Sequence, residues 1–352
     1  MSCNPPNGSM ARHRHRHRHR PPRLPTTTTT LLLAVLLPSA LATPYPYPQI
    51  HPQNQPTIKP PSPFTKTLFH DDFSLLAPGS LPSPQKWTLD IGTSYPSGPA
   101  HWGTNEIQTY TSSPSNIGIT PSGTLRIIPL APTTNTTKGK NKNSTWTSAR
   151  IETTKTHDFS CGAGQRLRIE AGIRLPSGPA AEQMGIWPAF WSLGAAFRGN
   201  YQSWPGPGEV DVMESVNGAA TVWHTVHCGV GSGGPCKEMN GLGSTAAMSR
   251  GVWHVVAVEI DRSRGGTGRD DWKAEKLVWF VDERQTWSLT GATVGNATAW
   301  ATLARSPKFL LLNVAVGGAF PDAVAGGKTP TAKTLGGAGA AMEVRHVAVF
   351  VT

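Results

Sequence analysis

The chain has 352 residues, enough for one large domain or two ordinary ones, and it is rich in Gly (37), Pro (32) and Trp (12). This profile favours short strands joined by turns. The net charge of +11 gives no support for nucleic acid as a partner, because six arginines and no acidic residue lie in residues 1–42. Without those six arginines, 26 of the 32 basic residues remain against 21 acidic ones, so the basic excess belongs largely to the N-terminal segment.

The N-terminal residues 1–42 have the pattern of a secretory signal peptide. An Arg-His run is followed by the apolar stretch 31–37 and by Ala40-Leu41-Ala42, which fits the small-x-small cleavage rule. The apolar stretch is too short to cross a bilayer of about 30 Å as a helix, so a retained membrane anchor is the weaker alternative. We therefore expect a secreted protein, extracellular or in a cell wall, with no membrane attachment after cleavage.

Residues 43–63 are rich in proline and predict a stiff, extended linker, so the globular domain is expected to span residues 64–352. Secretion agrees with three N-glycosylation motifs, at Asn135, Asn143 and Asn296. In an oxidising compartment Cys228 and Cys236, which enclose a glycine-rich loop, are expected to form a local disulfide. Cys161 is left over, and a buried free thiol is the simplest expectation.

From Phe64 onward, short apolar or alternating segments recur between turn signals, with no intervening helix pattern. These segments are residues 67–73, 123–129, 147–153, 165–174, 185–193, 209–216, 221–228, 253–260, 276–282, 308–316 and 342–350. At least ten such strands predict an all-β fold, a sandwich or jelly roll of two antiparallel sheets.

The segment 208–215 (GEVDVMES) carries three carboxylates on one predicted strand. Glu209 and Asp211 share a face because side chains alternate, whereas Glu214 is out of step. A β-bulge near Met213, one extra residue in the strand, would turn Glu214 onto the same face. Two Glu side chains that lean together can then approach within about 5–5.5 Å, the separation used in retaining glycoside hydrolysis. The alternatives are a solvent-facing acidic strand and a calcium site built from carboxylates.

Several other blocks accompany this strand in a fixed order. They are residues 102–111 (WGTNEIQTYT), 185–194 (GIWPAFWSLG), 204–208 (WPGPG), 225–229 (TVHCG) and 309–318 (FLLLNVAVGG). Together they resemble glycoside hydrolase family 16, the laminarinase-like endo-β-1,3(4)-glucanases, from about Phe69 to Phe350. The resemblance implies a jelly roll with a concave cleft that hydrolyses internal β-1,3 or mixed β-1,3/1,4 glucan linkages with retention.

Carried onto this sequence, the resemblance implies that Glu209 is the nucleophile, Glu214 the general acid/base and Asp211 their electrostatic partner. It also implies that Asn105 and Glu106 hold sugar hydroxyls, and it places Trp204 and His227 beside the catalytic strand. Two departures stand out: His224 replaces a glycine found in many relatives, and Phe320 follows the Val-Gly-Gly turn where relatives often carry tryptophan. Family members often bind a structural calcium, for which we assign no ligands here; we expect no cofactor in the chemistry.

Sugar rings pack on flat aromatic surfaces, so a glucan cleft needs tryptophan beside polar groups. The further candidates for substrate binding are Trp102, Trp187, Trp191 and Arg150. For Trp253, Trp279 and Trp287, which have no matching cleft block, core or surface packing is expected. His224 and His227 are three apart and should face opposite sides of their strand, which argues against a paired metal site.

The favoured function is a secreted endo-β-glucanase that binds β-glucan and acts as a monomer. A non-catalytic glucan-binding protein is a competing possibility, but such proteins typically lose the catalytic acids. A wall-remodelling transglycosylase would use the same covalent intermediate with a sugar acceptor, and the sequence does not separate it from the hydrolase.

Overall fold

A computed structural model describes residues 58–132, 145–264 and 271–352 and contains two large antiparallel sheets around a shared core. The front sheet has the spatial order β12 (Leu242–Ala247), β11 (Thr221–His227), β10 (Glu209–Glu214), β9 (Ile186–Gly194), β16 (Lys308–Val316), β7 (Arg150–Thr153) and β2 (Trp87–Asp90). The back sheet has the order β15 (Arg284–Thr290), β14 (Lys276–Val281), β13 (Trp253–Asp261), β8 (Arg166–Arg174), β17 (Met342–Val351), β5 (Leu125–Ile127) and β4 (Ile117–Ile119), and β1 (Lys66–Asp71) also pairs with β17.

The remaining described elements are short. Strands β3 (Thr109–Tyr110) and β6 (Thr147–Ser148) form a parallel pair. The helices are α1 (Gly291–Val294), α2 (Ala297–Ala304) and α3 (Ala319–Ala325). None of the helices in the described residues is long and apolar enough to cross a membrane.

The core lies between the two sheets and follows from side-chain alternation. Leu167 and Ile169 of β8 point inward, and Arg168 between them points to the other face of the back sheet. On the front sheet Val210 and Leu312 fill the facing side. Burial of each large aliphatic side chain contributes about 1.5–3 kcal/mol, so the two inner faces account for much of the fold's stability.

The all-β jelly-roll sandwich predicted from the sequence is confirmed, and every predicted strand segment overlaps an observed strand. The expectation that no helix intervenes is wrong for α1, α2 and α3. Helix α2 is only eight residues long and buries one face through Trp300 and Leu303, so its period is hard to recognise in a sequence. Its N-terminus is capped by Asn296, whose side-chain oxygen accepts from the main-chain N–H of Ala299 at 2.9 Å.

Several sequence predictions fall outside the described residues: the signal peptide, most of the linker, and the glycosylation sites Asn135 and Asn143. Asn296 lies on the surface, and its glycosylation stays a prediction. At the start of the expected domain, Phe64 is buried against Ala348 and Phe350 of β17.

The cysteine predictions are confirmed. Cys228 and Cys236 form a disulfide with α-carbons 5.3 Å apart, and both residues are fully buried. Cys161 is a buried free thiol. Burial raises the pKa of Cys161 to about 12, which keeps this thiol protonated and unreactive at neutral pH.

Replacing Cys228 by serine should lower the stability of the fold, because the disulfide closes a short loop with a sequence separation of 8. Loop-closure entropy predicts a loss of about 2–3 kcal/mol. That corresponds to a melting temperature lower by roughly 5 °C for a domain of this size.

Calorimetry of the oxidised wild type, Cys228→Ser and the Cys228→Ser/Cys236→Ser double variant measures this effect. The two variants should melt together, and below the wild type. An unchanged melting temperature in both would show that the cross-link does not constrain the chain.

Candidate active site

The bulge predicted in the acidic strand is present in β10. Asp211 lies opposite Trp191 of β9, and Glu214 lies opposite Ala189. Three steps along β10 therefore match two steps along β9, and the same mismatch occurs against β11. One extra residue in a strand is the definition of a bulge, and it restores Glu214 to the face that carries Glu209 and Asp211.

The residues between the carboxylates point the other way. Val212 and Met213 are consecutive, yet both are fully buried in the core. In a regular strand one of them would face outward. Met213 fills the space behind the bulge, as its flexible side chain suggested.

The three carboxylates interact strongly because they are close together and largely shielded from water. Burial raises the pKa of Glu214 to about 7, and the charge of Glu209 adds to this effect. Burial also raises the pKa of Glu209. The pKa of Asp211 lies well above its ordinary value because of burial and the charges of Glu214 and Glu209. One carboxylate oxygen of Asp211 is buried and has no hydrogen-bond partner.

Two tryptophans hold the outer carboxylates. The indole N–H of Trp187 donates to Glu214 at 2.9 Å, and that of Trp204 donates to Glu209 at 3.0 Å. Each hydrogen bond favours the charged carboxylate and so lowers its pKa against the effect of burial. Trp187 and Trp191, four residues apart in the strand, are both half-buried on the site face of β9.

His227 lies across from Glu209 on the neighbouring strand, with its Nε2 3.8 Å from Asp211. Its Nδ1 bonds the buried carboxylate of Glu238 at 2.7 Å. Burial lowers the pKa of His227, but the bond to Glu238 and the charge of Glu209 outweigh it, so the net shift is upward. An imidazolium here would partly balance the negative charge of the site.

Glu238 was not identified from the sequence. It follows Cys236 by two residues, and its second oxygen accepts from the main-chain N–H of Cys228 at 2.8 Å. Glu238 therefore lies just outside the loop that the disulfide closes, and its carboxylate joins His227 to the main chain of Cys228. A lone glutamate in an irregular loop has no periodicity, so only the disulfide spacing hinted that this loop is ordered.

A second group of predicted residues surrounds Arg150. The guanidinium is buried and lies 4.6 Å from the ring centre of Trp102 and 4.9 Å from that of Trp191. Its Nε donates to Asp90 at 3.0 Å. Arg150 therefore pairs with a carboxylate and packs on two of the candidate tryptophans, while its role in substrate binding stays a prediction.

Glu106 is buried, and its carboxylate accepts hydrogen bonds from Tyr110 at 2.8 Å and Gln108 at 2.7 Å. Tyr110 in turn accepts from Asn313, whose amide oxygen accepts from the indole of Trp191. Glu106 is thus the end of a hydrogen-bonded chain that orients Trp191. Its neighbour Asn105 is exposed and has a φ of 62°.

Two further aromatic residues in this region, Tyr95 and Tyr201, were not identified from the sequence. The rings of Tyr95 and Tyr201 stack with centroids 4.3 Å apart. Phe320, the residue that replaces the expected tryptophan, packs edge-on against Trp187 at 5.5 Å and Trp223 at 5.7 Å.

Lys308 is a further buried group, close enough to Glu209 of β10 to feel its charge. Its Nζ donates to the main-chain oxygen of Thr302 at 2.7 Å. Burial lowers the pKa of Lys308 to about 7, and the charge of Glu209 opposes that shift.

The two histidines of β11 face opposite sides, as predicted: His224 is fully buried on the core side and His227 faces the carboxylates. Trp279 is also buried and packs on Trp287, whereas Trp253 contacts two arginines on the back sheet. The expectation of core or surface packing for these three tryptophans is therefore confirmed.

The described residues contain one candidate group of metal ligands. Among them, one group of three His, Cys, Asp or Glu side chains has ligand atoms within 4.8 Å of one another, and it is Glu209, Asp211 and His227 in the site itself. On the back sheet, Glu170 and Glu259 are paired with Arg168 at 2.6 and 3.1 Å. A structural calcium on that sheet stays a prediction without assigned ligands.

Comparison with known proteins agrees with this arrangement. A family model described as "XgeA-like, catalytic GH16 domain" matches residues 123–260. The crystal structure of an endo-1,3-beta-glucanase from Streptomyces sioyaensis is 39% identical and covers 84% of this chain and 99% of that chain, with a TM-score of 0.73.

Two curated proteins are more distant. A beta-glucanase from Rhodothermus marinus is 29% identical over 74% of this chain and 78% of its own length. Glucan endo-1,3-beta-glucosidase A1 from Niallia circulans is 27% identical over 80% of this chain, which spans only 37% of that longer protein. With 39% identity to a solved enzyme that it covers almost completely, and with the same fold, this chain belongs to glycoside hydrolase family 16.

Proposed function

We propose that this enzyme is a secreted, retaining endo-β-glucanase that cleaves internal β-1,3 linkages, in β-1,3-glucan or in mixed β-1,3/1,4-glucan. The observation that carries the proposal is the bulge that brings Glu209, Asp211 and Glu214 onto one face of β10. The printed names of the relatives, endo-1,3-beta-glucanase and beta-glucanase, support the substrate class.

In the first step, a carboxylate oxygen of Glu209 attacks the anomeric carbon, and the bond to the leaving glucan breaks. Glu214 gives its proton to the leaving oxygen, which its pKa of about 7 allows at neutral and mildly acidic pH. The bond from Trp204 holds one oxygen of Glu209 and leaves the other for attack. Burial and the charges of Glu214 and Glu209 raise the pKa of Asp211 well above its ordinary value, which favours its protonated form and so limits the negative charge of the site.

In the second step, water attacks the anomeric carbon, Glu214 takes the proton from that water, and Glu209 leaves as a carboxylate. The change of role has an electrostatic cause. The charge of Glu209 raises the pKa of Glu214, and that charge disappears when Glu209 becomes an ester. The pKa of Glu214 then falls, so the residue is ionised when a base is needed.

A transglycosylase is the second candidate, and the aromatic group of Trp187, Phe320 and Trp223 favours it specifically. These rings lie beside Glu214: Trp187 donates to its carboxylate, Trp223 lies across from it, and Phe320 packs on both tryptophans. A sugar acceptor that packs on them would compete with water for the glycosyl-enzyme.

Secretion rests on the N-terminal pattern and on the disulfide, which persists in an oxidising compartment. N-terminal sequencing of the protein recovered from the medium of a secreting host should give Thr43 as the first residue. An intact N-terminus in the membrane fraction would favour the anchor instead.

Glu209→Gln should lower turnover of laminarin and of barley β-glucan by about 10³-fold or more, because the amide cannot form the covalent intermediate. Timed analysis of products from the purified chain measures this effect. Glu343→Gln, on β17 of the back sheet, is the matched control and should behave as the wild type.

The distribution of products separates the candidates. Short oligosaccharides from the wild type indicate an endo-glucanase, and products longer than the substrate indicate a transglycosylase. Glucan binding without products would instead identify a binding protein. Full activity in Glu209→Gln would remove the nucleophile assignment.

Trp187→Phe should move the alkaline limb of the kcat/KM profile to higher pH. In the wild type this limb is expected near pH 7, where Glu214 loses the proton that it must donate. The indole hydrogen bond lowers that pKa, so its removal raises the pKa and keeps the acid protonated to higher pH.

Trp191→Phe is the control, since Trp191 bonds Asn313 and not Glu214. The alkaline limb of the Trp191→Phe profile should coincide with that of the wild type, even where substrate binding is weakened. A limb that stays in place or moves to lower pH in Trp187→Phe contradicts the assignment of Glu214 as the acid.

A further inference from the structure

The bulge in β10 is held from the core side by two buried side chains. Main-chain carbonyls of consecutive residues accept these bonds: Asp211 from the indole N–H of Trp279, and Val212 from Nδ1 of His224, both at 2.8 Å. Bulges disrupt the regular ladder of a sheet locally, and unpaired buried carbonyls are costly. Here side chains supply donors at the disrupted position.

The partners of His224 determine its tautomer. The carbonyl of Val212 can only accept, so Nδ1 carries the hydrogen. Nε2 is then an acceptor, and the hydroxyl of Thr286 on β15 donates to it at 2.9 Å. Burial lowers the pKa of His224 to about 4, which agrees with a neutral ring at neutral pH.

The bonds connect the two sheets at the residue where the carboxylates are brought into line. His224 belongs to the front sheet and Thr286 to the back sheet. On the opposite side of β11, the chain neighbours of His224 are Trp223 and Thr225; Trp223 lies across from Glu214. His224 itself is fully buried and does not face the site.

We propose that His224 is a positioning residue for catalysis: its bond to Val212 fixes the bulge and thereby aims the carboxyl group of Glu214 at the leaving oxygen. This inference rests on the proposed function, because it assumes that Glu214 acts as a general acid. Trp279 assists from the back sheet by holding the preceding carbonyl.

Two amide substitutions of similar polarity distinguish the effect of the Nδ1 donor from that of the rest of the imidazole ring. In His224→Asn the amide nitrogen can take the place of Nδ1 and keep the bond to Val212. In His224→Gln the amide lies near the former Nε2, so the donor at the Nδ1 position is lost. His224→Asn should therefore retain its activity on glucan, and His224→Gln should lose much of it.

The readout is kcat/KM on two substrates, laminarin and a dinitrophenyl β-laminaribioside. The glucan needs a proton on its leaving oxygen, whereas dinitrophenolate leaves without one. We expect His224→Gln to lose about 10–100-fold on laminarin, a part of the roughly 10²–10⁴-fold that general acid catalysis contributes, and less than about threefold on the aryl substrate. His224→Asn should stay within about threefold of the wild type on both.

Three further variants complete the design. Glu214→Gln should show the same selective loss on laminarin, only larger. Val226→Ala is a packing control, because Val226 is equally buried on the same strand face but lies across from Val210, before the register shift between Asp211 and Glu214. It should lower the melting temperature and keep the wild-type ratio of the two substrates. Thr286→Val removes the hydroxyl that donates to Nε2 and so holds the orientation of the ring; it should shift this ratio in the same direction as His224→Gln, by less.

A wild-type substrate ratio in His224→Gln, or an equal selective loss in His224→Asn, overturns the positioning role. If His224→Gln does not fold, Thr286→Val decides: a wild-type ratio there also overturns it. When Glu214→Gln shows the selective loss and the His224 and Thr286 variants do not, only this inference fails. A wild type that cleaves neither substrate would overturn the proposed function, and this inference with it.

Discussion

The extra residue in β10 is the constraint on which the rest of the site depends. Side chains of a strand alternate between faces, so Glu209 and Glu214, five positions apart, would point in opposite directions in a regular strand. Glu214 would then have to be buried among the core residues that now surround Met213. The register shift against both neighbouring strands avoids this and places three carboxylates on one surface.

The negative charge of three buried acids has to be balanced by neighbouring groups, and the three acids have different neighbours. Trp187 and Trp204 each donate one hydrogen bond to an outer carboxylate. Asp211 between them has a carboxylate oxygen without a hydrogen-bond partner, and its pKa is raised well above the ordinary value. His227, made more basic by Glu238, lies on the side of Glu209. Negative charge is therefore favoured at Glu209 and a retained proton at Asp211 and Glu214.

Much of this architecture could be predicted from sequence because it follows from local patterns. The alternation of apolar residues predicts the two sheets, the misplaced Glu214 predicts the bulge, and the short spacing of Cys228 and Cys236 predicts their disulfide. The spacing of three between His224 and His227 likewise predicts their opposite faces.

The rest depends on contacts between distant parts of the chain, which carry no periodicity. The stacking of Tyr95 on Tyr201 joins loops more than one hundred residues apart in sequence. Glu238 lies in an irregular segment and meets His227 across a separation of 11 residues, and His224 meets Thr286 only when the sheets pack. Helix α2 is too short to show its period, and its buried face becomes evident only in the structure.

The proposed mechanism requires the bulge to present Glu209 as a nucleophile beside Glu214 as the acid. Its most direct test is inactivation with a dinitrophenyl 2-deoxy-2-fluoro-β-laminaribioside, followed by tandem mass spectrometry of the peptide that contains residues 208–215. The fluorine slows hydrolysis of the glycosyl-enzyme, so the adduct should accumulate on Glu209, one per chain, and laminarin should protect against it. An adduct on Glu214, or turnover of laminarin with an inverted first product and no adduct, would contradict the account.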